Sequence, residues 1–177
     1  MMKEPDVNVV IIGSGHVGAS LAFSFIFHPA LDHVYMSDID VGRLHAELND
    51  LTAASFQLFR EEMFSVWNGE PADYYFVCAG YARKEGESDE ALFERNIAVV
   101  DSIVSRLPKE KVFIITNPSK MLGEFFKCRY LGDALDATRA ENGLMSGLEV
   151  LTLKGYTNWG IVAEAWMAIE ECRKKWY

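Results

Sequence analysis

Residues 7–18 read VNVVIIGSGHVG. Val7 to Ile12 is a short run of mostly β-branched side chains, the composition of a strand buried in a parallel sheet. It leads without a break into Gly13-Ser14-Gly15-His16-Val17-Gly18, a complete G-x-G-x-x-G, and Ala19 to Phe27 follows as an apolar helix. Asp38 stands twenty residues beyond Gly18, after a second strand-like run, Val34 to Ser37. Strand, glycines, helix, strand and acid in this order point to a dinucleotide-binding unit. Gly13 permits the tight turn, Gly15 lets the backbone approach a pyrophosphate, and Gly18 lets helix and strand pack closely. The first N–H groups of the helix, at His16 and Val17, face the phosphates with the positive end of the helix dipole behind them. Asp38 would accept hydrogen bonds from a ribose 2′-hydroxyl and repel a 2′-phosphate, which favours NAD over NADP. Asp40 is the other acid within reach of that role.

The composition sets the outer bounds. The chain has 177 residues, half of them apolar, enough for one domain with a sizeable core. Its formal net charge is −9 and its pI about 4.9. No cluster of Lys and Arg interleaves with aromatics, which argues against nucleic acid as a partner, and the acidic balance argues against an anionic membrane surface. No apolar stretch approaches the ~20 residues of a bilayer span, and the N-terminal MMKEPDVN lacks the apolar run of a signal peptide. Cys78, Cys128 and Cys172 are odd in number and widely spaced, so they form neither a metal motif nor a disulfide framework. Cys78 falls in a strand-like run and reads as a core thiol. These features together predict a reducing cytoplasm.

Strands are expected over 7–12, 33–37, 61–67, 74–78 and 112–116, alternating with helices over about 16–28, 41–58, 89–107 and 118–129. Residues 1–6 read as a loose tail. Asp40 can cap the second helix, and Asp89 and Glu90 suit the first turn of the third. Asn117-Pro118 reads as cap and first residue of the fourth. This alternation predicts a doubly wound α/β fold built on a parallel sheet. Further on, residues 133–148 look helical in part, 149–153 could be a strand, and 157–175 form an amphipathic helix with Ile161, Ala165, Ala168, Ile169 and Cys172 along one face.

At this point the chain resembles the lactate/malate dehydrogenase family. The resemblance rests on GSGHVGAS at 13–20, Asp50-Leu51 with Ala53-Ala54, Cys78-Ala79-Gly80, Arg83-Lys84 with Gly86-Glu87 and Asn96, Thr116-Asn117-Pro118, Leu135-Asp136-Ala137-Thr138-Arg139, and Lys154-Gly155-Tyr156-Thr157-Asn158-Trp159. It implies a Rossmann-type NAD-binding domain over 1–132 and a reduced helical remnant of a substrate lobe over 133–177, packed as one domain. It also implies hydride transfer between NAD(H) and a small 2-hydroxy or 2-oxo acid. Carried over by motif, Ala79, Gly80 and Asn117 flank the cofactor. Arg83, Asn117, Arg139 and Thr157 bind substrate, and Asp136 is the aspartate that orients a catalytic histidine. No metal is implied. The family's two-fold interface uses the helices corresponding to 40–58 and to the C-terminal helix, which implies a homodimer.

Two departures bear on activity. The family's catalytic histidine lies between the motifs ending at Arg139 and starting at Lys154, and here that link, Ala140 to Leu153, contains none. His16, His28, His33 and His45 all lie in the first quarter of the chain and read as surface or cap residues. The loop arginine that polarises the substrate carbonyl is replaced by Asp89, whose charge would repel a developing oxyanion. Asp136 and Arg139, spaced i, i+3, read equally well as a surviving anion site or as a surface ion pair. The expectation is an NAD(H)-binding, catalytically impaired relative. The alternatives are an oxidoreductase with a rebuilt site, in which Arg83 and Arg139 hold a dicarboxylate and Lys84 or water moves the proton, and an assembly protein with a vestigial nucleotide site.

Overall fold

The computed structural model describes residues 7–174. Six strands, β1 (Val7–Ile12), β2 (Leu31–Ser37), β3 (Phe64–Val66), β4 (Tyr74–Val77), β5 (Val112–Ile114) and β6 (Arg129–Tyr130), form one sheet in the order β3-β2-β1-β4-β5-β6. Every neighbouring pair is parallel. Among the described residues, seven α-helices alternate with and follow them: α1 (His16–Phe25), α2 (Val41–Gln57), α3 (Asp89–Val104), α4 (Ser119–Phe126), α5 (Leu135–Glu141), α6 (Gly147–Lys154) and α7 (Trp159–Lys174). No helix among the described residues is long and apolar enough to cross a membrane.

Covering both faces of the sheet explains why β1 lacks polar alternation. Val9 and Ile11 point into the larger core, with Leu21 and Phe25 of α1, Leu44, Leu48 and Leu51 of α2, and Ile161, Ala165, Ile169 and Cys172 of α7. Val10 and Ile12 point into the smaller core, with Val100 and Val104 of α3 and Leu122 and Phe126 of α4. The chain order reverses between β1 and β4, so the carboxyl ends of these two strands open the crevice where open α/β sheets bind ligands.

Several boundaries differ from the sequence-based expectation. α1 ends at Phe25, because Ile26, Phe27 and His28 close onto carbonyls three residues back. β6 is two residues long, too short for periodicity to reveal. α4 starts at Ser119, with Pro118 as N-cap and without an Asn117 side-chain cap. Residues 149–153 are helical, within α6, and not a strand. Val150 and Thr152 suggested extended backbone, but Ser146 and Glu149 form a reciprocal capping box that starts a helix there. His28 is fully buried, not a surface or cap residue. It packs against Phe25 and Trp166, and its Nδ1 accepts from the Ala30 N–H at 3.3 Å. Burial lowers its pKa, Glu170 offsets part of that, and Arg173 and Arg60 add to it. The 1–6 tail and the end of the 157–175 helix lie partly or wholly outside the described residues.

Candidate functional site

The glycine turn has the geometry its sequence demands. Gly13 adopts φ +104° at the end of β1, and a Cβ there would meet the Ala79 nitrogen at 2.5 Å. A Cβ on Gly18 would lie 1.9 Å from the Gly13 carbonyl oxygen, so turn and helix can touch only as glycines. At Gly15 the same test finds nothing within 4 Å: this is the open side of the turn. Gly15 is also the N-cap of α1, with no side-chain cap and no acid in the first turn. The opening N–H groups at His16 and Val17 therefore meet no competing side-chain cap, which fits an incoming pyrophosphate.

Asp38 closes the turn from β2. Its Oδ2 accepts from the Ser14 N–H at 2.5 Å and from the Ser14 hydroxyl at 2.8 Å, and its Oδ1 accepts from the Asp40 N–H at 2.9 Å. Burial opposes its ionisation. The hydrogen bonds from Asp40 and Ser14, with the Arg43 charge, outweigh that and hold the carboxyl below the usual range. Asp40 is directed elsewhere: it caps α2, accepting from the Arg43 N–H at 3.0 Å. Asp38 is thus the acid that faces the glycine turn. Ser14 is the residue that sequence reasoning missed; its only signal was a hydroxyl inside the turn.

The far wall is stitched by two buried polar side chains. Asn96 on α3 accepts from the Tyr81 N–H at 2.7 Å and donates to the Asn117 carbonyl at 2.7 Å. Thr116 donates to the Ala79 carbonyl at 2.7 Å. These bonds bring Ala79, Gly80 and Asn117 together at the carboxyl ends of β4 and β5, with Ala79 against Gly13. Cys78 beside them is partly buried, and desolvation pushes its thiol up to about 12.

The residues assigned to substrate are engaged differently. Arg83 donates to the Glu87 carbonyl at 2.6 Å and forms an ion pair with Asp89. Arg139 pairs with Asp136 at 2.8 Å, and the same Asp136 oxygen accepts the Gly147 N–H at 2.7 Å. Thr157 is partly buried just ahead of α7. Among the described residues, no hydrogen bond or ion pair joins Arg83, Asp136 or Arg139 to a histidine. His33 pairs with the Ser65 hydroxyl at 2.7 Å, His45 is exposed on α2, and His16 stacks on Tyr156.

A parallel sheet in this strand order, with an uncapped glycine turn and an acid just after β2, defines a dinucleotide-binding fold. The chain belongs to the lactate/malate dehydrogenase family: the family's NAD binding domain matches residues 7–129. NAD is accordingly the cofactor class of this domain. L-lactate dehydrogenase 1 of Staphylococcus aureus (strain JH9) is 32% identical over 129 residues, 69% of this chain and 41% of that protein. The chain thus spans about two fifths of the length of such relatives. Malate dehydrogenase from Archaeoglobus fulgidus, solved in complex with NADH, superposes with a TM-score of 0.79 at 18% identity, over 92% of this chain and 76% of that one. Malate dehydrogenase from Aeropyrum pernix gives 0.76 at 19% identity, over 94% and 77%. These two likenesses show the shared fold. The helical segment after β6 is reduced relative to the full-length enzymes.

Proposed function

We propose that this chain binds NAD(H) at the glycine turn and is impaired in hydride transfer to or from a 2-hydroxy or 2-oxo acid. The observation that carries this reading is the state of the two arginines assigned to substrate carboxylates. Arg83 is held by Asp89 and the Glu87 carbonyl, and Arg139 by Asp136. Each guanidinium already has an internal anion, and a substrate would have to displace it.

The chemistry points the same way. NAD, when bound, would supply the hydride acceptor for oxidation of a 2-hydroxy acid at C2, and the hydroxyl proton would need a base from the chain. No histidine follows His45 in the 177 residues, so that proton has no imidazole acceptor from the catalytic motif. General acid–base assistance is worth ~10²–10⁴ in rate. Asp89 stands where the family has a polarising arginine, and its carboxylate is paired with Arg83, so the pair offers a developing oxyanion no net positive charge.

The cofactor arm of the reading is tested by titration with NADH and NADPH. Tight NADH and weak NADPH binding is expected. Asp38→Ala should cost NADH about tenfold or more, since hydrogen bonds to a charged group are worth ~1.5–3 kcal/mol. The catalytic arm is tested with pyruvate, oxaloacetate and related oxo acids. NADH oxidation that disappears in Arg139→Ala would replace this reading with that of a working enzyme.

The same reading includes a homodimer through α2 and α7. Val41, Phe56 and Phe59 at the ends of α2, and Met167 on α7, expose large apolar surface. Light scattering at micromolar concentration should return twice the 20.0 kDa chain mass.

A further inference from the structure

The turn that receives the pyrophosphate is tied to a segment 140 residues further along the chain. The His16 imidazole, on the first residue of α1, stacks on the Tyr156 ring, with centroids 4.2 Å apart and planes 11° from parallel. The Lys154 ammonium sits 4.4 Å from the centre of the same tyrosine ring and 4.9 Å from that of Trp159. Lys154 also donates to Asn158 Oδ1 at 2.7 Å. Asn158, nearly fully buried, donates to the Ser20 hydroxyl at 2.6 Å, and that hydroxyl donates to the His16 carbonyl at 2.6 Å. The contacts close a ring: His16, Tyr156, Lys154, Asn158, Ser20 and back to His16.

Both ends of the ring act on one turn of helix. Ser20 fixes the His16 carbonyl, and Tyr156 fixes the His16 side chain. The first N–H groups of α1, which have no side-chain cap, therefore take their orientation partly from residues 154–158. Neither the glycine pattern nor the fold requires this. His16 occupies a freely variable position of G-x-G-x-x-G, and an aromatic or imidazole ring there is an additional device.

We propose that Tyr156 is a positioning residue of the cofactor site. Through the stack on His16 it pre-orients the pyrophosphate-binding turn, and dinucleotide binding in return stiffens residues 154–158 and the start of α7. This rests on the reading that the turn binds NAD(H). By linkage the two effects are reciprocal: a segment that orders the turn is itself ordered when the turn is filled.

The test is a double-mutant cycle read by NADH affinity. His16→Ala and Tyr156→Leu should each weaken NADH about fivefold to tenfold, and the double variant should lose no more than either alone. Tyr156→Phe keeps the ring and should bind like the wild type. In the wild type, NADH should slow hydrogen exchange over residues 154–162, and in His16→Ala it should not. His16 is exposed, so His16→Ala keeps the fold even where Tyr156→Leu does not, and Lys154→Met then supplies the second arm. Affinity within twofold of the wild type in His16→Ala, or losses that add in the double variant, would overturn the coupling while leaving NADH binding intact. A wild type that binds no NADH would overturn both the coupling and the cofactor reading.

Discussion

α6 and α7 follow one another in the chain and have opposite standing in the fold. α7 lays Ile161, Ala165, Ile169 and Cys172 into the larger core and donates from Trp166 to the Ser24 hydroxyl at 3.1 Å. α6 buries no residue at all, and Leu148 and Leu153 on it are 67% and 74% exposed. What holds α6 is local: the Ser146–Glu149 capping box, the Asp136 carboxylate on its first N–H, and Gly155 in the left-handed conformation at its end. The chain after β6 is therefore two things. One is a helix the sheet requires. The other is a helix that buries none of its own residues and reaches the core side of the chain through Lys154 at its last position, which donates to the buried Asn158.

The comparison can be broken or sharpened by substitution. Ile169→Ala on α7 removes a fully buried side chain and should cost about 2–5 kcal/mol in denaturant unfolding. A cost under about 1 kcal/mol would mean that α7 is not part of the cooperative core. Ser146→Ala deletes the capping box, an interaction worth ~0.5–2 kcal/mol. Its effect should stay within α6, as faster amide exchange over 147–154 with an unchanged unfolding midpoint.

His28 probes the α1–α7 contact by pH. Its Nε2 is buried 3.4 Å from Glu170 without a hydrogen-bond partner, and burial holds its pKa below 6.5. The unfolded chain therefore takes up that proton first. Its contribution is complete above about 6.5 and falls away as pH drops from there toward the folded-state pKa. Between about pH 7 and pH 5.5, His28→Asn should lose less stability than the wild type; an equal loss would mean that another group governs acid sensitivity. Smallest of all, Leu148→Ala on α6 should change stability by no more than about 0.5 kcal/mol. A larger cost would mean that another surface covers α6 in solution.

The parts of the fold legible in the sequence were those where one physical demand dominates. β1 shows as an unbroken apolar run because both of its faces are covered. Gly13 and Gly18 show because the turn tolerates no Cβ. Asp40 as the cap of α2, and Asp89 and Glu90 in the first turn of α3, follow from local hydrogen bonding and the helix dipole. Illegible were the features fixed by contacts distant in sequence. His28 is buried by Trp166 and Phe25, and nothing near position 28 announces that. The ring joining Ser20 to Asn158 spans 138 residues and leaves no periodic trace. Residues 149–153 misled because Val150 and Thr152 carry strand propensity, while the deciding signal, Ser-Gly-Leu-Glu at 146–149, sat just ahead of them. Of the site, the i, i+3 spacing already offered the Asp136–Arg139 ion pair as one of two readings, whereas nothing in the sequence announced that Asp89 would engage Arg83.

The link between α5 and α6 has one more consequence. Residues 142–146 are exposed throughout, and Gly143 turns there at φ +65° with open space around it. Lengthening such a loop costs only ~0.6 kcal/mol for each doubling of its length. It is a splice point: an insertion there meets no buried side chain, and the strands and the cofactor turn lie in other parts of the chain.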